Sequence, residues 1–244
     1  MRFLLLNPNT TEEMTRDMER QARKHARPGT EVEGVTPKFG AASIEGFYEE
    51  EYAIMSFLQT IRERAHEFDG VILACYGDPG LYACREISPV PVVGIAEASM
   101  LMACTVAHKW SIVTVIPRVK PMMEQLVRLH GLEQRCASIR TTPLSVLDCE
   151  REPERAVREL VKASRAAIEE DGAEAILLGC GGMGPLDDQI GEEVDAPVID
   201  GIVCAVKLLE GICDYGLKTS RVAAFKEPEP KEFAEIPGLV PVSA

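Results

Sequence analysis

The feature that most constrains this chain is a series of short, unbroken apolar runs, each followed by a turn and then by a helical stretch. Runs of this kind, without polar alternation, suit strands covered on both faces, the situation in parallel sheets flanked by helices. The first run, Arg2 to Leu6, is stopped by Asn7-Pro8-Asn9-Thr10, after which Thr10 or Thr11 can cap a helix whose first turn holds Glu12 and Glu13. A strand at Glu31 to Val35, a loop through Pro37 to Ser43 and a helix from Gly46 to Phe68 follow. Then come the strand "GVILAC", a helix near Leu81, the strand "PVVGI" and a helix from Ala96 to Ala107.

From Trp110 onward the same order returns: strand "SIVTVI", a turn at Pro117, a helix from Arg118 to His130, strand "CASIRT", a helix from Arg151 to Asp171, then "EAILLGC". The spacing also repeats, because Cys75 precedes Pro91 by 16 residues and Cys180 precedes Pro197 by 17, and each proline opens a short β-branched run. An internal duplication of a βα module is therefore predicted. The expected architecture is α/β, with two similar Rossmann-like parallel-sheet domains related by a pseudo-twofold axis and a cleft between them. The boundaries are expected at 1–104 for the first domain, completed by a C-terminal segment from about 205 to 244, and at 105–204 for the second. A helix from Ile202 to Tyr215 closes the second copy, and the Pro- and Glu-rich tail "KEPEPKEFAEIPGLVPVSA" reads as poorly structured and suited to packing on a neighbour.

A formal charge of −13 argues against nucleic acid and anionic membrane, since a phosphate-binding surface needs clustered Lys and Arg. No apolar run approaches the ~18 residues of a membrane span, and the opening run is too short for a secretory signal of roughly 7 to 15, so a cytoplasmic protein is expected. The 46% hydrophobic content of 244 residues supports a sizeable core, so eight cysteines need not form a disulfide framework. There is no C-x-x-C, and His25, His66, His108 and His130 lie away from the cysteine turns, so no metal site is expected.

Two of the cysteines stand in matching settings. "LACYGDPG" and "LLGCGGMG" each place a thiol between a buried strand and a turn of small residues. In open α/β sheets ligands bind beyond the carboxyl ends of strands, so Cys75 and Cys180 are expected to face the cleft. Gly77, Gly181 and Gly182 let backbone N–H groups approach closely, which predicts a lowered thiol pKa and a site able to stabilise an oxyanion. About a pseudo-twofold axis the two thiols would flank one ligand, the layout of a two-base racemase. The other six cysteines lack the Gly-rich turn and read as packing residues. Asn9 and Thr10 are placed to bind a ligand's carbonyl or N–H groups, with helix capping as the alternative role, and Pro8 rigidifies their turn.

"GCGGMG", with Asp200 downstream, also matches a dinucleotide fingerprint, but only 44 residues follow Asp200, too few for the strands that such a domain would still need. No phosphate loop and no strand-end lysine suited to pyridoxal phosphate occurs. A non-enzymatic two-lobed binding protein remains an alternative that the paired cysteines disfavour.

"NPNT", "SIEG", "CYGDPGL", "PVVGIAEAS", "SIVTVIPR" and "LGCGGM", in this order from residue 2 to about 235, resemble the hydantoin racemases of the aspartate/glutamate racemase superfamily. The resemblance implies a cofactor-independent isomerase that acts on 5-substituted hydantoins, with Cys75 and Cys180 as the acid/base pair and Pro8, Asn9, Thr10, Tyr76, Gly77, Gly181 and Gly182 around the substrate. A homo-oligomer is expected. Allantoin racemases share nearly the same motifs, and an amino-acid racemase would use the same cleft with a carboxylate clamp that the sequence does not reveal.

Overall fold

The computed structural model describes residues 1–232. Four strands, β1 (Arg2–Leu6), β2 (Glu31–Val35), β3 (Gly70–Leu73) and β4 (Val92–Gly94), form a parallel sheet in the order β2-β1-β3-β4. A second parallel sheet, β5 (Trp110–Thr114), β6 (Cys136–Thr141), β7 (Ala175–Leu178) and β8 (Val198–Ile199), has the order β6-β5-β7-β8. Each sheet thus runs second-first-third-fourth, and the duplication predicted from spacing reappears as a repeated topology.

The central strands β1, β3, β5 and β7 are buried almost throughout because helices cover both of their faces. Along β1 the side chains alternate between two cores. Leu4 and Leu6 join Val71, Leu73, Phe57 and Ile61 in a cluster under α2 (Phe47–Arg64) and α3 (Leu81–Ile87). Phe3 and Leu5 instead enter the larger core, which continues without a break into Ile112, Leu177 and the rest of the second sheet. Two helices sit in this shared core: α4 (Ile95–Val106), which follows β4, and α9 (Gly201–Tyr215), which follows β8. They are corresponding elements of the two halves, and at their starts the backbones nearly touch. A Cβ on Gly201 would lie 2.6 Å from the Ile95 carbonyl oxygen.

Three elements differ from the sequence expectation. The helix expected from Arg151 to Asp171 is α7 (Pro153–Asp171), but a short helix not expected from the sequence, α6 (Val146–Arg151), precedes it. Pro153 separates the two because it lacks the N–H needed to continue a helix but suits the first position of a new one. The start of α6 is fixed by a reciprocal cap, Ser145 Oγ accepting from Asp148 N while the Asp148 carboxylate accepts from Ser145 N. After β7 a 3₁₀ helix over Gly181–Leu186 runs into α8 (Asp187–Glu193), which the glycines and Pro185 conceal from a periodicity reading. The remaining helices, α1 (Glu12–His25) and α5 (Lys120–Leu129), lie where expected. Residues 226–232 of the tail are exposed without regular structure apart from the preceding 3₁₀ turn at Ala223–Phe225, and the rest of the tail lies outside the described residues. Among the described residues no helix is long and apolar enough to cross a membrane.

Candidate active site

Both cysteine turns are built by the same backbone pattern. Ala74 N donates to Leu6 O at 3.0 Å, and Gly179 N donates to Val113 O at 2.8 Å, so each chain crosses the end of its sheet at the same place. Cys75 stands two residues past the end of β3, and Cys180 two residues past the end of β7. In each turn the N–H three residues on bonds back to the cysteine carbonyl, Asp78 N to Cys75 O at 3.0 Å and Met183 N to Cys180 O at 3.1 Å. The N–H two residues on, of Gly77 or Gly182, faces the sulfur.

The two turns line one pocket at the ends of both sheets, with about 490 Å³ of space not filled by atoms, its solvent mouth included. Of the residues singled out from sequence, Pro8, Asn9, Cys75, Tyr76, Gly77, Cys180, Gly181 and Gly182 all line it, while Thr10 does not. The walls are apolar: Met14 and Met18 from α1, Met122 and Met123 from α5, and Ile44, Val119 and Val146. Polar groups are few, chiefly Asn9, Glu50 and Thr114, and Thr114 Oγ1 is occupied by the Gly179 carbonyl at 2.8 Å.

The β1–α1 turn differs from the capping expectation. Thr10 and Thr11 direct their hydroxyls outward to the Ala41 and Ala42 carbonyls, pinning the loop that covers the pocket, and neither caps α1. Thr11 N is satisfied instead by Asn9 Oδ1 at 3.0 Å. That leaves the Asn9 amide donor facing only the Met14 sulfur at 3.0 Å, a weak acceptor. Asn9 therefore holds a donor in reserve. Asn7, by contrast, is consumed by the scaffold, bonding to Thr15 Oγ1, Thr11 O and Asn9.

The electrostatics also depart from expectation. Burial pushes the Cys75 thiol well above its ordinary value, the nearby Glu50 carboxylate adds to the rise, and the Gly77 N–H opposes it without prevailing. Cys180 is pushed up to about 11, again mainly by burial and against the Gly182 N–H. The glycine-rich turns do aim donors at both sulfurs, but enclosure by the methionine wall and the covering loop outweighs them.

Several residues that hold the site gave little signal in sequence. Asp78, in a left-handed conformation at φ 45°, accepts from Ala96 N at 3.1 Å and Glu97 N at 2.7 Å, tying the Cys75 turn to the start of α4. Burial pushes its carboxyl up to about 7. On the other side Gln21 Nε2 donates to Gly184 O and to Asp200 Oδ2, at 3.1 and 3.0 Å. Asp200 itself accepts from Ile202 N at 2.8 Å and caps α9. The acidic residue of the apparent dinucleotide fingerprint is thus engaged in capping and not free to meet a ribose. Glu45, in the covering loop, accepts from Val146 N at 2.7 Å and so bridges the first half to the second. Tyr76 lines the pocket but spends its hydroxyl on Ser99 Oγ at 2.9 Å.

A family model described as Asp/Glu/Hydantoin racemase matches residues 4–209. A hydantoin racemase from Pseudomonas sp. (strain NS671) is 47% identical over 96% of this chain and 94% of that protein. A hydantoin racemase from Rhizobium meliloti is 40% identical over 96% of this chain and 98% of that protein. Among solved structures, an allantoin racemase from Klebsiella pneumoniae superposes with a TM-score of 0.93 at 42% identity, covering 96% of each chain. A Francisella tularensis glutamate racemase, at 14% identity and a TM-score of 0.63, shares the fold. The repeated sheet topology, the paired cysteine turns and these similarities converge on one assignment: the chain belongs to the Asp/Glu/hydantoin racemase family.

Proposed function

We propose that this protein racemises 5-substituted hydantoins through Cys75 and Cys180. The observation that carries this reading is the pair of cysteines, set at one offset past corresponding strands, each faced by the N–H two residues on, and both lining one pocket. One thiolate takes the C5 proton and becomes a thiol. The electron pair of that C–H bond moves into the ring and places negative charge on the C4 oxygen. The opposite thiol then gives its proton to the other face of C5 and becomes a thiolate. The free donor of Asn9 is suited to a ring carbonyl. The methionine, valine and isoleucine wall favours an apolar C5 substituent over the polar ureido group of allantoin.

We place the domains at 1–104, completed from about 205 onward, and at 105–204. The packing of α9 on α4 and β3 supports this division. Eight free cysteines suit a reducing cytoplasm, and the exposed Phe47, Tyr48 and Tyr52 on α2 suit a contact between copies.

The test is C5 deuterium exchange and racemisation of each enantiomer of a 5-alkyl hydantoin in D₂O. Cys75→Ser and Cys180→Ser should each lower racemisation at least ~10²-fold, and each should spare exchange of one enantiomer only. Near-wild-type racemisation by either variant would refute the two-thiol assignment. A strong preference for allantoin would overturn the choice of substituent.

A further inference from the structure

Glu50 is a carboxyl group in an unexpected place. It belongs to a run of three glutamates in α2, yet its side chain turns into the pocket. Its Oε1 is buried, with no hydrogen-bond partner among the described residues. It lies directly over the cysteine turn: a Cβ on Gly77 would be 1.8 Å from Oε1. The glycine thus admits the carboxyl to the same turn whose N–H faces the Cys75 sulfur. Among the described residues the carboxyl nearest in effect to Cys180 is that of Glu45, and its Oε1 is engaged by Val146 N.

We propose that Glu50 is a catalytic residue that works in its neutral form, donating its carboxyl hydrogen to the ring oxygen that gains charge when a thiolate removes the C5 proton. This rests on the racemase reading above. Burial and like charge favour the neutral form. Glu51 and Glu49 flank it on α2, Cys75 lies in the turn beneath it with Asp78 beyond, and Cys180 lines the same pocket. The cation Arg118 lies by Gly46 and Glu49. Burial, then the Glu51 and Glu49 charges, pushes the Glu50 carboxyl up to about 7. A neutral acid in an enclosed site can donate to a developing oxyanion, whereas the carboxylate would repel it. The proton stays on Glu50 through the step as a hydrogen-bond donor, so the two thiols still carry the whole proton balance.

The experiment compares wild type with Glu50→Gln, whose amide donates at every pH, and with Glu50→Ala, which donates at none. The ratio of wild-type to Glu50→Gln kcat removes the part of the rise from thiol ionisation that the two share. The Glu50 carboxylate, which raises the Cys75 thiol pKa where it is ionised, lowers the ratio in the same direction as loss of the donor. The ratio should be flat below pH ~6 and fall at least ~10-fold by pH ~9, as the neutral fraction drops about tenfold per unit above its midpoint. Glu50→Ala should lose roughly 10- to 100-fold in kcat, the worth of a hydrogen bond to a charged group, with a smaller change in KM. An infrared difference spectrum of wild type minus Glu50→Gln at pH ~6 should show the carbonyl band of a protonated carboxyl, a readout that needs no turnover and reports the protonation state itself. A flat ratio across that range, a wild-type kcat in Glu50→Ala, or absence of the infrared band would each overturn the assignment. If wild type racemises and the ratio is flat, Glu50's role fails and the two-thiol reading stands. If wild type exchanges no C5 hydrogen, both fall.

Discussion

Gly201→Ala places the sharpest demand on the packing between the halves. The added Cβ would lie 2.6 Å from the Ile95 carbonyl oxygen, 3.0 Å from Ile95 Cβ and 3.1 Å from its carbonyl carbon. Two of these three atoms are backbone, so no rotamer change relieves the overlap and α9 must move away from α4. Overpacking of this kind costs about 1–3 kcal/mol, and the lower unfolded-state entropy of alanine returns roughly 0.4–1 kcal/mol. Gly211→Ala is the matched control. It lies in the same helix, is exposed, and its Cβ would meet nothing within 4 Å, so it should stabilise by about 0.5–1 kcal/mol. Because the alanine gain is common to both, the two variants should differ by the overpacking cost, about 1–3 kcal/mol. In urea unfolding followed by circular dichroism, with a slope near ~3 kcal/mol/M, that is a midpoint difference of about 0.3–1 M. Because Asp78 ties the Cys75 turn to the first residues of α4, the displacement should also lower kcat, which Gly211→Ala should not. Equal stability of the two variants would refute the close-approach argument. A destabilised Gly201→Ala with wild-type kcat would refute the link from helix contact to cysteine turn.

Two further substitutions test the frame of the pocket. Glu45→Ala removes the acceptor for Val146 N and loosens the contact between the covering loop and α6, so KM should rise about 5-fold, the worth of ~1 kcal/mol, with kcat nearly unchanged; an unaltered KM in steady-state assays would argue against the bridge. Asp78→Asn keeps one acceptor for α4 and should destabilise by about 1–2 kcal/mol. The folded-state pKa of Asp78 is raised to about 7, so its linked stability is fully present below the unfolded value near ~4 and is lost as pH rises through about 7. The cost of Asp78→Asn should accordingly shrink between pH ~4 and ~7, and a cost that grows over this range in thermal melts would contradict the assignment.

What the sequence reveals and conceals divides along physical lines. Both cysteine turns are legible because β3 and β7 are fully apolar runs leading into glycine-rich turns, which leaves few alternatives, and β1, β2 and β6 also fall at the residues expected. Glu50 is illegible: within "YEEEY" on an amphipathic helix, nothing local says which glutamate turns inward, and its place depends on Gly77 across the fold. Thr10 and Thr11 look like caps until the covering loop docks and offers the Ala41 and Ala42 carbonyls. The direction of the thiol pKa shifts fails for a related reason. Sequence shows the N–H groups of the turn, which are local, but not the enclosing wall, which is assembled from α1, α5 and the loop before α2. The α6 cap, Ser145 with Asp148, is written in the sequence as a short capping motif, yet the helix is too brief for its periodicity to be seen.

The unlike surroundings of the two sulfurs, Glu50 beside one and not the other, carry a thermodynamic constraint. Mirror-image substrates have equal free energy in water, so their equilibrium ratio is one whatever catalyst joins them. The forward and reverse values of kcat/KM must then be identical, and no asymmetry of the pocket can favour one hand in the final mixture. What the asymmetry can do is divide that common value differently in the two directions, giving one enantiomer a higher kcat and, in the same proportion, a higher KM. Each turnover also leaves the proton on the opposite sulfur from the one that held it at the start. The protein therefore alternates between two resting forms of unequal energy, and at high concentration of a single enantiomer the return from one form to the other can set the pace.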